Sequence, residues 1–319
     1  MSTCRAFIFP GQGAQSVGMG KALADAFPAA KAVFDEVDDA LGERLSSIIW
    51  DGPEEDLTLT ANTQPALMAV SVAAMRALEV DFGIGIDAAD YVAGHSLGEY
   101  SALCAAGAIG VSETAKLLRV RGNAMQAAVA PGEGAMAALL GADTEQAEAA
   151  CAAGISEAGG TCEVANDNAP GQLVLSGSAA AIEAACVHAR ENGVKKAVPL
   201  AVSAPFHCSL MEPAAEAMRE ALSDAAISAP KIPLIANVTA ATTTDPEAIR
   251  DQLVTQVTGR VRWRESVEFM AANGIAGTAE AGAGKVLTVM NRRTARDIKG
   301  VTLGTPEDLQ AFAEALQGE

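Results

Sequence analysis

No stretch of this chain approaches the roughly 18 consecutive apolar residues that a membrane-spanning helix requires, so a bilayer is not expected as its surroundings. Basic residues are scarce: 22 Lys and Arg stand against 40 Asp and Glu, a formal net charge of -18. Nucleic acid and anionic membrane surfaces both recruit a basic footprint, so neither is expected as a general partner. The 6 cysteines, Cys4, Cys104, Cys151, Cys162, Cys186 and Cys208, include no C-x-x-C pair. They read as reduced thiols of a cytoplasmic protein with no metal site. Residues 1–5 lead straight into strand-like sequence, without the cationic stretch, apolar segment and cleavage site of a secretory leader. Internal repeats are lacking too, and the Ala-rich stretches read as helix formers rather than linkers. Histidine is scarce as well, at 3 residues, which shortens any search for a general base.

What is present begins with Gly94-His95-Ser96-Leu97-Gly98. This complete G-x-S-x-G pentapeptide follows the apolar run Tyr91-Val92-Ala93 and precedes an apolar, Ala-rich stretch over 99–108. Strand, tight turn and helix make up the context of a nucleophile elbow, in which the turn pushes the serine hydroxyl out at the top of a sheet. The flanking glycines leave room for that strained turn. The helix that follows aims unsatisfied N–H groups and its positive dipole end at the serine. Ser96 is therefore the candidate nucleophile.

With 50% apolar residues in 319, the chain can bury a substantial core as one large domain or as a large domain with a smaller partner. Residues 4–9 read as a buried strand ended by the loop signal Pro10-Gly11-Gln12-Gly13. Helices are expected over 19–27 and 31–41 and over 66–78, with Pro65 in the first turn of the last. Ser112 is the expected N-cap of a helix over 113–127. This alternation favours an α/β domain with a mainly parallel sheet. After Pro131-Gly132-Glu133-Gly134 the pattern changes. Strands over 136–140, 162–166, 173–176 and 197–200, with helices over 144–153 and 179–192, give the order βαββαβ of a ferredoxin-like unit. The expected architecture is an α/β-hydrolase-like catalytic domain, 1–130 and 204–319, with a ferredoxin-like subdomain, 131–203, inserted between. Asp245-Pro246 and Thr305-Pro306-Glu307-Asp308 mark two later helix starts, the second resembling a capping box.

A serine nucleophile needs a proton acceptor. His95 adjoins Ser96, where consecutive side chains diverge, and His188 reads as a solvated helix residue beside Arg190 and Glu191. His207, in the loop-like Ser203-Ala204-Pro205-Phe206-His207 between the two domains, is the candidate base. Its bland alternative is a hydrogen-bonded structural histidine. Gly282-Ala283-Gly284-Lys285 lacks the spacing of a phosphate-binding loop and reads as a structural turn before a helix.

Taken together, Phe9-Pro10-Gly11-Gln12-Gly13-Ala14-Gln15, Gly94-His95-Ser96-Leu97-Gly98-Glu99-Tyr100, Arg121-Gly122-Asn123-Ala124-Met125-Gln126 and Val202-Ser203-Ala204-Pro205-Phe206-His207 resemble the malonyl-CoA:acyl carrier protein transacylases of bacterial type II fatty acid synthesis. Gln256 and Gly282-Ala283-Gly284-Lys285-Val286-Leu287 match in type and order, so the resemblance spans nearly the whole chain. It implies a malonyl-Ser96 ester formed from malonyl-CoA, with His207 as base, and passed to the phosphopantetheine thiol of holo acyl carrier protein in two steps. It implies an oxyanion hole of the Gln12 and Leu97 backbone N–H groups, and a dyad in which the Gln256 carbonyl orients His207. Arg121 would hold the malonyl carboxylate through a bidentate fork; on residue type alone it would be one more surface basic beside Lys116 and Arg119. Phe206 and Met125 would line the acyl pocket and Asn166 the CoA site, where a turn-forming Asn is the plain alternative. In related polyketide acyltransferases a Phe at the position of Phe206 goes with malonyl and a smaller Ser with methylmalonyl, whereas bacterial transacylases often carry Ser. The ring would crowd an α-methyl group, and malonyl preference is the expectation.

The resemblance implies no cofactor, a cytoplasmic monomer, and an acidic carrier as partner. An acidic carrier meeting so acidic a chain needs a local basic patch, for which Lys195, Lys196, Arg190, Arg292, Arg293, Lys116 and Arg119 are candidates. Three rivals share parts of this pattern. A serine esterase or lipase shares the elbow but has no use for Arg121, and its triad order is usually Ser, Asp/Glu, His. An acyltransferase serving a polyketide or malonate decarboxylase carrier shares the chemistry. A non-catalytic scaffold would share only the fold.

Overall fold

The computed structural model describes residues 5–318; Cys4, expected in the first strand, lies outside them together with residues 1–3 and Glu319. β1 (Arg5–Phe9) is buried on both faces, as its unbroken apolar run requires in the middle of a parallel sheet. Phe7 and Phe9 point into one core, and Ala6 and Ile8 into another on the opposite face. β2 (Tyr91–Gly94) lies parallel to β1 with Phe9 beside Gly94, so both strands end at one level and deliver their following loops to one place.

The remaining strands are β3 (Gly134–Leu140), β4 (Cys162–Ala169), β5 (Gln172–Ser178), β6 (Lys196–Pro199), β7 (Leu234–Ile235), β8 (Thr242–Thr243), β9 (Gly277–Ala281) and β10 (Lys299–Leu303). Among the described residues they form two sheets. The first is six-stranded, in the order β10-β9-β1-β2-β7-β8, and parallel except for the antiparallel β7–β8 pair. The second is four-stranded and antiparallel, in the order β4-β5-β3-β6.

On one face of the large sheet lies the main core, centred on the helix Thr60–Phe82 and shared with the helices Pro28–Leu41, Val111–Ala127 and Glu212–Asp224. The other face packs on Trp263, Val267, Met270 and Leu287. The second sheet, with the helices Thr144–Ala158 and Ala179–Glu191, has a separate core of Leu139, Leu173, Leu175 and Ile182 among others. The end of β4 fastens it to the main body: the Asp167 N–H donates to the Val261 carbonyl, and the Arg264 guanidinium grips the buried Asp167 carboxylate through Nε and Nη2. No helix among the described residues is long and apolar enough to cross a membrane.

Two local expectations are corrected. The helix expected over 66–78 begins six residues earlier, at Thr60, so Pro65 sits in its second turn rather than its first. Burial of Thr60, Thr63 and Gln64 against the core sets this start, which their polar residue types conceal. Ser112 does not cap the next helix: Gly110 holds the N-cap position, and the Ser112 hydroxyl donates instead to the Glu36 carboxylate at 2.8 Å. The helix starts at Pro246 and Pro306 stand where the sequence put them, with the Thr305 side chain accepting the Asp308 N–H. His188, expected in solvent, is half-buried in the last turn of its helix.

Candidate active site

The turn after β2 is a direct result of its glycines. A Cβ on Gly94 would stand 1.9 Å from the Gly98 backbone, and one on Gly98 would stand 2.2 Å from the Phe9 carbonyl oxygen. Only glycine at both places lets the chain double back so tightly. Ser96 takes the strain, with φ at 53° in the left-handed region. The Asn237 side chain braces it, accepting the Ser96 N–H at 2.7 Å and donating to the Gly94 carbonyl at 2.6 Å.

His207 also has a left-handed backbone, φ 59°, in the loop that returns from the second sheet. Its Nδ1 lies 2.9 Å from the Gln256 carbonyl oxygen and its Nε2 lies 2.7 Å from Ser96 Oγ. A carbonyl only accepts, so Nδ1 carries the proton and Nε2 is left to accept from the serine hydroxyl. Burial, and then the charge of Arg121, push the His207 pKa down to about 3, so the ring is neutral. His95 points elsewhere: its Nε2 meets Asn168 Oδ1 at 2.8 Å, and burial lowers its pKa.

Arg121, on the helix Val111–Ala127, is 1% exposed. Its Nη1 donates to Gln64 Oε1 at 2.8 Å, and its Nη2 to Gln256 Oε1 at 2.9 Å and to Ser96 Oγ at 3.1 Å. The guanidinium lies 5.7 Å from the centroid of the Tyr100 ring, and its Nε finds no partner. Among the described residues the buried cation thus hydrogen-bonds only neutral oxygens, and the nearby Glu99 carboxyl acts on it without touching it. Gln256 reaches further. Its Nε2 donates to the Ser96 carbonyl at 3.0 Å and to Glu99 Oε2 at 2.9 Å, and the same Glu99 oxygen takes the Asn237 N–H. Burial pushes the Glu99 carboxyl up to about 7, against these hydrogen bonds.

A cavity of about 180 Å³ opens over Ser96 and His207. Gln12 and Leu97 line it, as do Arg121, Met125 and Phe206, while Asn166 and Asn168 approach from β4. The Gln12 loop passes hard against the elbow, since a Cβ on Gly11 would lie 2.6 Å from the His95 carbonyl oxygen. The structure therefore gathers Ser96, His207, Arg121, Gln12, Leu97, Phe206, Met125 and Asn166 around one space, with Gln256 behind His207. Gln64, Asn168, Asn237 and Glu99 belong to the same arrangement and were not singled out from the sequence.

The Gly282–Lys285 turn is of another kind. The Leu287 and Thr288 amides at the start of the following helix donate to the buried Glu280 carboxylate, which fills the place an anion would take. Of the basic candidates, Lys195, Lys196, Arg190, Arg292, Arg293 and Lys116 are exposed, whereas Arg119 is engaged by Glu43 and Asn62.

The acyl transferase domain family matches residues 6–314. The malonyl CoA-acyl carrier protein transacylase of Bacillus subtilis strain 168 is 44% identical over 314 residues, covering 98% of this chain and 98% of its own. The crystal structure of an acyl-carrier-protein-S-malonyltransferase from Bartonella henselae superposes with a TM-score of 0.95 at 55% identity, covering 98% of this chain and 99% of its own. A malonyl-transacylase solved in complex with a type II polyketide synthase acyl carrier protein superposes with a TM-score of 0.94 at 39% identity, covering 98% and 100%.

Proposed function

This chain belongs to the acyl transferase domain family, and we propose that it moves the malonyl group of malonyl-CoA onto the phosphopantetheine thiol of a holo acyl carrier protein, supplying fatty acid elongation. As Ser96 Oγ attacks the thioester carbonyl carbon, its proton passes to His207 Nε2, held 2.7 Å away. The developing oxyanion is met by the backbone N–H groups of Gln12 and Leu97, the Ser96 amide being committed to Asn237. Collapse breaks the carbon–sulfur bond, and the coenzyme A sulfur leaves with the proton from His207. The carrier thiol then gives its proton to the same nitrogen and attacks the malonyl-Ser96 ester, and the departing Ser96 oxygen takes that proton back from His207. Two substrates thus use one site in turn, a ping-pong exchange.

The observation that carries this reading is Arg121: a fully buried guanidinium beside the nucleophile, with neutral partners and a free Nε. A malonyl carboxylate supplies the direct ion-pair partner it lacks. An esterase acting on neutral esters would gain nothing from that cation, which is costly to bury. We assign Phe206, Met125 and Leu97, which all line the cavity, to the acyl group, and Asn166, which lines it from β4, to coenzyme A. A polyketide carrier would call for the same site chemistry.

We read the large sheet with its two cores as an α/β-hydrolase-like domain, 1–130 and 204–319, and the second sheet with its own core as a ferredoxin-like insertion, 131–203. The enzyme is taken as a cytoplasmic monomer needing no cofactor. Exposed Lys195 and Lys196 are its proposed docking pair for the acidic carrier. Intact-mass spectrometry after brief mixing with malonyl-CoA tests the reading. A malonyl adduct should form on the wild type, be absent in Ser96→Ala, and discharge when holo carrier protein is added. Labelling of Ser96 by a neutral ester but not by malonyl-CoA would establish a hydrolase instead.

A further inference from the structure

We propose that Glu99 is a positioning residue for acyl selectivity, holding the Gln256 side-chain amide in the one orientation that presents its oxygen to Arg121. This rests on the malonyl-transfer reading above. Gln256 touches the base, the cation and the backbone of the nucleophile at once. Its main-chain carbonyl holds His207 Nδ1–H, its Oε1 accepts from Arg121, and its Nε2 donates to the Ser96 carbonyl and to Glu99. An amide can be turned end for end at little cost in shape, so its surroundings must choose between the two states. Here a turned amide would set its oxygen against the Ser96 carbonyl and against Glu99 Oε2, which already accepts from the Asn237 N–H, and its N–H groups against the guanidinium.

Glu99 is placed to make that choice. It is 1% exposed, and Oε2 accepts from both Gln256 Nε2 and the Asn237 N–H. Asn237 in turn holds Ser96 and Gly94. In so dry a place, each unpaired polar atom counts heavily, so the acceptor at Glu99 governs where Gln256 settles. Through Gln256 it governs where the Arg121 fork is aimed. A fork misplaced by a fraction of an ångström loses its second bond to a carboxylate while barely affecting a neutral acyl group.

The test compares initial rates of Ser96 acylation by malonyl-CoA and by acetyl-CoA, read by intact mass, in the wild type, Glu99→Ala, Glu99→Gln, Gln256→Ala and the Glu99→Ala/Gln256→Ala double variant. The malonyl-over-acetyl ratio should fall about tenfold or more in Glu99→Ala, and recover in Glu99→Gln, whose amide oxygen can accept the same bonds. In that ratio the double variant should match Gln256→Ala alone, because Glu99 acts on selectivity through that side chain, while its bond to the Asn237 N–H reaches both thioesters alike. Should Glu99→Ala fail to fold, Glu99→Asp keeps the charge but loses the reach, and its ratio should fall likewise. An unchanged ratio in the folded variants, an equal fall with both thioesters, or additive effects in the double variant would each overturn the proposal. A wild type with no malonyl preference would instead sink the functional reading beneath it.

Discussion

Replacing Arg121 by Met separates carboxylate recognition from the rest of the chemistry. The side chain keeps much of its bulk, so the helix Val111–Ala127 stays seated, but the fork is gone. A charge-assisted hydrogen bond contributes about 1.5–3 kcal/mol, so a bidentate pair contributes about 3–6 kcal/mol. Every 1.4 kcal/mol is about tenfold, which puts the expected fall in malonyl acylation at about a hundredfold or more. Arg121 also donates to Ser96 Oγ, and its loss leaves the Gln64 and Gln256 oxygens without that partner. Those effects reach malonyl-CoA and acetyl-CoA alike and cancel in the ratio of their rates. The measurement is kcat/KM for acylation by each thioester, with the melting temperature as a check on folding. Acetyl transfer should fall far less than malonyl transfer, because removing the Arg121 charge, the second cause of the depressed His207 pKa, works against those shared losses. If the ratio stays at its wild-type value, Arg121 does not select the acyl group and the argument from its burial fails.

Gly122 packs the helix Val111–Ala127 against the helix Thr60–Phe82, and an added Cβ would lie 2.6 Å from Ala61 Cα. Backbone cannot yield like a side chain, so Gly122→Ala should cost about 1–3 kcal/mol in chemical denaturation. It should also lower the malonyl-over-acetyl ratio by parting Arg121 from Gln64; an unchanged denaturation midpoint would refute the close packing. His207 should stay neutral, with the proton on Nδ1, in a nitrogen NMR titration from neutral pH down to the acid limit of folding. A midpoint near its ordinary value of 6.5 would contradict a ring held down to about 3. Because the folded pKa is the lower one, unfolding takes up a proton between those values. His207 thus contributes stability that is complete above 6.5 and drains as pH falls toward 3. Wild type should therefore lose more stability than His207→Phe over that interval, by denaturation at each pH.

The parts of the site that were legible in the sequence are those whose cause is local. The elbow is written in five consecutive residues because Gly94 and Gly98 meet backbone a few residues away or on the neighbouring strand. The helix starts at Pro246 and Pro306 carry their own signals. Resemblance, rather than pattern, brought Arg121 and Gln256 into view. What stayed hidden depends on partners far along the chain. Gln64 meets Arg121 across 57 residues, Asn168 meets His95 across 73, and Asn237 meets Ser96 across 141. An amide side chain carries no periodicity that announces a distant partner. The start of the helix at Thr60 was concealed for a related reason: its polar first turn is buried by the core rather than specified by its own residues.

Selectivity and reactivity meet in one electrostatic relation. His207 is a weak base because burial and then the Arg121 charge both resist a second cation there. A carboxylate seated on the guanidinium would offset that charge and remove the second-largest cause, leaving His207 better able to hold the serine proton as the ester forms. A neutral acyl group would leave the guanidinium uncompensated and the imidazole suppressed. On this account the acid group of the right substrate favours the step as well as the binding, so discrimination should fall on kcat as well as on KM. A malonyl preference expressed wholly in KM, with equal kcat for acetyl-CoA in the wild type, would show that Arg121 only binds.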